Sequence, residues 1–286
     1  AAEDREKFDK ILEGCAIPRP EGRTVFTAEE AKQAAAELGY PVLVRPSYVL
    51  GGQGMQIAVN DNDIDEFIGI INRIAQEHPI LVDKYLVGKE LEVDAVCDGE
   101  DIMIPGIMEH IEEAGIHSGD SACVLPSISL GGQILETIRK YTVNLAKEIG
   151  VEGLMNIQFA VKDDIVYILE ANPRASRTTP YVSKATGVEL AKLATKIMTG
   201  KKLSELLPAD ILNGPSKKIK YSTVKEVVLP WTRFSNVDTV LGPEMKSTGE
   251  VMGIDADFGR AFAKAELAAG SLLPEEGAIL VSIGPR

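Results

Sequence analysis

The chain of 286 residues is short of several things: it has three cysteines, one tryptophan and only 5% aromatic residues. Cys15, Cys97 and Cys123 are far apart and form no CxxC pair, which argues against a zinc site or a redox dithiol. Their odd number fits a reducing, cytoplasmic setting, with each thiol acting as a small buried apolar group. No run of about 18 apolar residues occurs, so no membrane-spanning helix is expected. The opening AAEDREKFDK has no apolar stretch and does not read as a signal peptide. Positive charge is scarce too: 30 Lys plus Arg stand against 43 Asp plus Glu, a net −13. Such a chain suits neither nucleic acid nor an anionic membrane, because both reward clustered positive charge. An anionic ligand would have to be held locally, by a few placed basic groups or a metal.

What is present is an ordinary globular composition, 45% hydrophobic and 26% charged. The length suits about two domains of roughly 150 residues each. Residues 9–22 read as a helix followed by a turn at Pro18 and Pro20. Thr27 and Glu30 form a capping box for a helix over 28–38 that stops at Gly39. A strand at 41–46, the glycine loop LGGQG at 50–54 and a second strand, MQIAV, follow. Further on come a helix over 61–76, a strand at 80–86, a hairpin turning at Asp98-Gly99, a helix over 132–149 and a helix over 189–200. Hairpins mixed with helices, not regular βαβ units, indicate an α+β fold.

The most informative segment is the hairpin of 154–161 and 165–172. Centred on Asp164, it places Gln158 opposite Glu170, with Asn172 on the same face. One carboxylate and two amide oxygens suit Mg²⁺ or Mn²⁺, and a solvated polar face is the other reading. Arg174 and Arg177 follow at once, as a pair suited to a phosphoryl group or as plain surface arginines. LGGQG is not a Walker A loop, since no Gly-Lys-Ser/Thr follows it; its glycines allow close approach to a phosphate, and Arg45 stands just upstream. His117, Ser118 and Ser121 do not make a hydrolase triad, because no G-x-S-x-G elbow exists.

Together, VRPSYVLGG (44–52), GIMEHIEEAGIHSGDSAC (106–123), NIQFAV (156–161), EANPRASRTTPYVSKATG (170–187) and KEVVLPWTRFSNVDTVLGPEMKSTGEVMG (225–253) resemble the ATP-grasp superfamily. They are most similar to the large subunit of carbamoyl phosphate synthetases. GGQGM, HSGDSACVLP and RTTPYVSKATG look more like the C-terminal, carbamate-phosphorylating half than the bicarbonate-phosphorylating half. The resemblance implies two α+β subdomains clasping ATP, with Mg²⁺ or Mn²⁺ on its phosphates. It implies Arg45 and, in the lead-in, Arg5 as nucleotide contacts. Backbone at Lys84 and Leu86 would read the adenine, and Glu90 would hold the ribose. Gly115, Ile116, His117 and Ser118 would close on the nucleotide. Gln158, Glu170 and Asn172 would hold metal, and Arg174 would stabilise the transferred phosphoryl. A K⁺ site is implied at Glu90, His110 and the backbone of Ile116 and Ser118.

The implied layout is a lead-in at 1–8, an ATP-grasp domain at 9–200 divided near 98/99, a remainder at 201–270, and at 271–286 the severed first strand of an allosteric domain. The implied partners are carbamate, the rest of the large subunit and a glutaminase small subunit. The implied setting is carbamoyl phosphate synthesis for arginine and pyrimidines. The bicarbonate-phosphorylating half, another carboxylate–amine ligase and a non-catalytic nucleotide-binding module are the alternatives.

Overall fold

In the computed structural model the described residues are 5–46, 54–74, 79–212, 219–231, 239–271, 274 and 276–278. Helix α1 (Arg5–Cys15) precedes a small antiparallel sheet of β1 (Gly22–Val25), β2 (Val42–Pro46), β3 (Gln56–Ala58) and β4 (Ile80–Lys84), in the order β1-β4-β2-β3. Helices α2 (Ala28–Leu38) and α3 (Asp61–Ile74) cover it, and Ala31, Ala35, Ile64 and Ile71 pack on Val42, Val44 and Val82. At the start of α2, Thr27 Oγ1 accepts from the Glu30 N–H at 3.1 Å. The Glu30 carboxylate reaches back one residue further than a standard box, to the Phe26 N–H at 2.7 Å.

The larger sheet contains β5 (Lys89–Asp98), β6 (Ile102–Met103), β7 (Met108–Glu113), β8 (Cys123–Leu125), β9 (Glu152–Lys162), β10 (Ile165–Asn172), β11 (Ser222–Val228) and β12 (Gly249–Asp255). Its order is β10-β9-β5-β7-β8-β11-β12, with β6 paired to β5. On one face α1 and α4 (Gly132–Ile149) bury Leu12, Ile138 and Leu145 against Leu91, Val93, Ile157 and Phe159. On the other, α5 (Thr179–Thr186), α6 (Leu190–Met198), α7 (Leu203–Leu206) and α8 (Ala209–Leu212) pack around Val96, Met103 and Leu125. Helix α9 (Phe258–Ala269) lies on β11 and β12 through Ala261 and Ala265.

Sheet membership moves the expected boundaries. The division falls between β4 and β5, not at 98/99, because β5 pairs along its whole length with β9. Residues 201–270 are no separate remainder, since β11 bonds directly to β8 and extends the same sheet. The lead-in ends at once, because α1 begins at Arg5. Most of the strand expected at 277–284 lies outside the described residues. Among the described residues no helix is long and apolar enough to cross a membrane.

One pH effect follows from α9. Burial, with Glu266 and Glu112 nearby, pushes the Glu226 carboxyl up from the ordinary 4.5 to about 7. The folded state therefore holds this proton more tightly than the unfolded chain does. The stability it contributes is complete below pH 4.5 and is lost as pH rises through 7. Glu226→Gln should flatten that decline and add about 1–2 kcal/mol at pH 8, after allowing for screening at the rim. Urea denaturation at pH 5 and pH 8 measures it.

Candidate nucleotide site

The β9–β10 hairpin builds the centre of the site. Asp163 and Asp164 adopt φ of +51° and +60°, the left-handed pair that a two-residue type I′ turn needs. This turn pairs Lys162 with Ile165 and Phe159 with Ile168. Continued unbroken, the register would put Gln158 opposite Leu169. A bulge between Ile168 and Glu170 advances it, so Glu170 faces Gln158 and Asn172 faces Asn156. The expected pair is present, but the turn is centred between Asp163 and Asp164, and the bulge, not the symmetry, brings Glu170 into place.

Gln158 Nε2 donates to Ser118 Oγ at 2.8 Å, and Asn172 Nδ2 donates to Glu170 Oε1 at 2.8 Å. Each amide thus uses its nitrogen on a neighbour and keeps its carbonyl oxygen for another partner. With the exposed Glu170 carboxylate, that donor set fits Mg²⁺ or Mn²⁺. Arg174, exposed just beyond β10, donates to the Ala175 carbonyl at 3.0 Å.

Beside this face is a buried acidic network, of which sequence reading found Glu90 and His110 but missed Glu92 and Asp94. Glu90, Glu92 and Asp94 are at most 3% exposed. Asn156 Nδ2 donates to Glu92 at 2.6 Å and to Asp94 at 2.9 Å. Ser176 Oγ and Thr178 Oγ1 each donate to Asp94 at 2.7 Å. These bonds tie down the segment that carries Arg174 and Arg177. His110 lies between two carboxylates, Nδ1 at 3.7 Å from Glu90 and Nε2 at 3.4 Å from Glu92. Burial pushes Glu90 up to about 7, with Glu92 and Glu170 adding and His110 opposing. Burial and the Glu92 charge push Asp94 up to about 6. Burial works against ionising both Glu92 and His110, yet their neighbours prevail: His110 holds Glu92 below its ordinary value, and Cys123 and Glu90, followed by Glu92, hold His110 well above its own.

The loop expected to close on a nucleotide crosses this face. Tyr85 Oη donates to the Ala114 carbonyl at 2.7 Å, and the Gly115 backbone N–H lies near enough to the Glu90 carboxylate to favour its ionised form. The expected ribose ligand is therefore covered by the loop itself. Gly115 has φ of +109°, and a Cβ there would overlap the Tyr85 ring, its Cζ at 2.7 Å. Gly115→Ala should accordingly displace the loop and weaken MgATP binding about tenfold or more, the scale of a lost charge-assisted hydrogen bond, as calorimetry would show. His117 caps the 3₁₀ turn at Ser118–Asp120, its Nδ1 accepting from the Gly119 N–H at 3.0 Å. Burial lowers its pKa, so at neutral pH it is an uncharged acceptor.

The remaining expected contacts are disposed differently. Arg45 Nε donates to Asp83 at 3.0 Å, an ion pair across the small sheet. Lys84 Nζ is turned to the Gly39 carbonyl at 2.6 Å, and its N–H donates to the Glu21 carbonyl at 2.7 Å. Only its carbonyl is left to read a base edge. The backbone of Leu86 has no hydrogen bond among the described residues. The Arg5 side chain and the glycine-loop residues 50–53 lie outside the described residues. Near the residues implied for K⁺, two buried atoms, His110 Nδ1 and Ser121 Oγ, have no hydrogen-bond partner.

A small sheet and a large one, with an acid-and-amide face under a glycine-containing loop, define a two-sheet α+β protein. The protein superposes on the biotin carboxylase of Campylobacter jejuni in its beta-gamma-ATP complex, with a TM-score of 0.73 and 19% identity, over 95% of this chain and 67% of that one. It superposes also on N5-carboxyaminoimidazole ribonucleotide synthetase in its ADP complex, with a TM-score of 0.71 and 18% identity, over 94% of this chain and 71% of that one. The fold is ATP-grasp. Residues 4–206 match the family described as carbamoyl-phosphate synthase L chain, ATP binding domain. Over its whole length the protein is 54% identical to the C-terminal section of the carbamoyl phosphate synthase large chain from Methanocaldococcus jannaschii, spanning 47% of that relative. It is 57% identical, over 99% of its length, to the carbamoyl phosphate synthase large chain of Lachnoclostridium phytofermentans, spanning 26% of that relative. The protein therefore belongs to the carbamoyl-phosphate synthase large-chain family, and it spans half or less of the length of these relatives.

Proposed function

We propose that the protein is the carbamate-phosphorylating unit of a carbamoyl phosphate synthase: carbamate and ATP give carbamoyl phosphate and ADP. The observation that carries this reading is the bulged hairpin, which sets Glu170 beside Gln158 and Asn172 with Arg174 one step beyond. Gln158, Glu170 and Asn172 would hold Mg²⁺ or Mn²⁺, which when bound neutralises phosphate charge and aligns the phosphoryl group. Arg174 supplies positive charge to the group in transfer, and the Gly115–Ser118 loop excludes water. The free backbone of Leu86 and the Lys84 carbonyl suit an adenine edge. For K⁺ the reading keeps Glu90 and the backbone of Ile116 and Ser118, while the charge on His110 opposes a second cation beside it. The full-length match to a C-terminal section supports the carbamate half over the bicarbonate half. The rest of the large subunit, a glutaminase subunit, arginine and pyrimidine synthesis, and a cytoplasmic setting belong to the same reading. ATP formation from ADP and carbamoyl phosphate by the purified protein tests it. Bicarbonate-dependent ADP release without that back-reaction would assign the other half instead.

A further inference from the structure

The polar face does not stop at the hairpin. Register carries it across the sheet, from Glu170 to Gln158 and from Gln158 to Glu92; further along, Cys123 faces Lys225 on β11. Lys225 is 1% exposed. Burial opposes its charge, but Cys123, Glu92, Glu250 and Glu112 together raise its pKa, so the buried group is an ammonium. Burying a cation is costly, and apolar replacements are often neutral or stabilising where the charge has only a packing role. The one hydrogen bond that this ammonium makes among the described residues goes to the Ser118 carbonyl, at 3.3 Å. Other bonds from the same downstream region converge on the loop. The His117 N–H donates to the Gly242 carbonyl at 2.8 Å. Asp120 accepts from the N–H groups of Lys246 and Ser247 at 2.6 and 2.7 Å. Ser247 Oγ donates to the Gly119 carbonyl at 2.8 Å. All these partners lie beyond residue 206, where the family match ends.

We propose that Lys225 is a positioning residue for the nucleotide loop: by holding the Ser118 carbonyl it sets where His117 and Ser118 stand over the Gln158–Glu170 face. This rests on the reading of that loop as nucleotide-closing. Lys225 touches no reacting atom and acts through Ser118.

The test measures MgATP affinity by calorimetry and amide hydrogen exchange across residues 115–119. It uses the whole 286-residue chain as wild type, as Lys225→Met, and as Lys225→Met with Glu92→Gln, which keeps the buried charge balanced should the single variant fold poorly. The expected result is about tenfold weaker MgATP binding in both variants, the scale of one hydrogen bond from a charged donor. Exchange at His117 and Gly119 should quicken while β5 and β9 stay protected. Wild-type affinity in the balanced variant, or unchanged exchange at these amides, overturns the proposal. If the wild type itself does not bind MgATP, the nucleotide reading fails, while the exchange data still decide whether Lys225 holds the loop.

Discussion

A Glu170→Gln variant should turn over ATP about a thousandfold more slowly than the wild type, the size of effect seen when one charged element of a phosphoryl-transfer site is removed. The substitution changes the charge and little else. Gln can still accept the Asn172 Nδ2 hydrogen bond through Oε1, and the side chain is exposed, so no packing is lost. What disappears is the anionic oxygen that a divalent ion prefers to a neutral amide. ADP release at saturating MgATP, with a thermal melt as control, separates loss of chemistry from loss of fold. Turnover at the wild-type rate would remove Glu170 from the site and with it the metal face.

The second large effect concerns stability. Gly253 on β12 packs directly under α9: a Cβ there would run into the Ala261 carbonyl and come within 2.6 Å of the Ala265 nitrogen. Both are helix backbone and cannot rotate aside, so Gly253→Ala must push α9 off the sheet. The cost should reach about 3 kcal/mol, at the upper end for overpacking. Gly249, on the same strand, is the control, because its Cβ would meet only Val228 Cβ at an ordinary 3.8 Å. Urea titration should show a large fall in midpoint for the first variant and little for the second. Equal midpoints would mean that α9 is not docked as described.

Local chemistry was readable where it is decided locally. Thr27, Glu30 and Gly39 mark the ends of α2 to the residue, because caps depend only on near neighbours. Gln158 and Glu170 do face each other, but the bulge that makes the pair is invisible in the sequence, since nothing in ILEAN announces an unpaired Leu169. The alternation of ELEVDAVCD signals a strand with one charged face, and such a face ordinarily meets water. Here Ser176, Thr178, Asn156 and His110 cover it, supplied from elsewhere in the sequence, so Glu92 and Asp94 escape notice. Helix α5 is hidden within RTTPYVSKATG, where β-branched residues and a proline mask a helix whose proline sits harmlessly in its first turn. The strands after Gly200 carry weak patterns because pairing stabilises them, β11 on the distant β8 and β12 on β11. Arg45 reads as a ligand on sequence grounds, and only the fold reveals Asp83 beside it.

The pairing of β8 with β11 also bears on how the protein is made. Thr223 donates through its hydroxyl to the Leu125 carbonyl, 98 residues upstream. On a ribosome adding roughly 5–20 residues per second, β8 must wait on the order of ten seconds for its neighbour. During that time Cys123, Val124 and Leu125, each at most 1% exposed in the finished sheet, form an open, apolar edge. A protein cut at residue 206 would keep that edge permanently, and aggregation is its expected fate. The nascent protein is therefore most vulnerable between the emergence of β8 and that of β11, when the acid face is already assembled and the open edge has no partner.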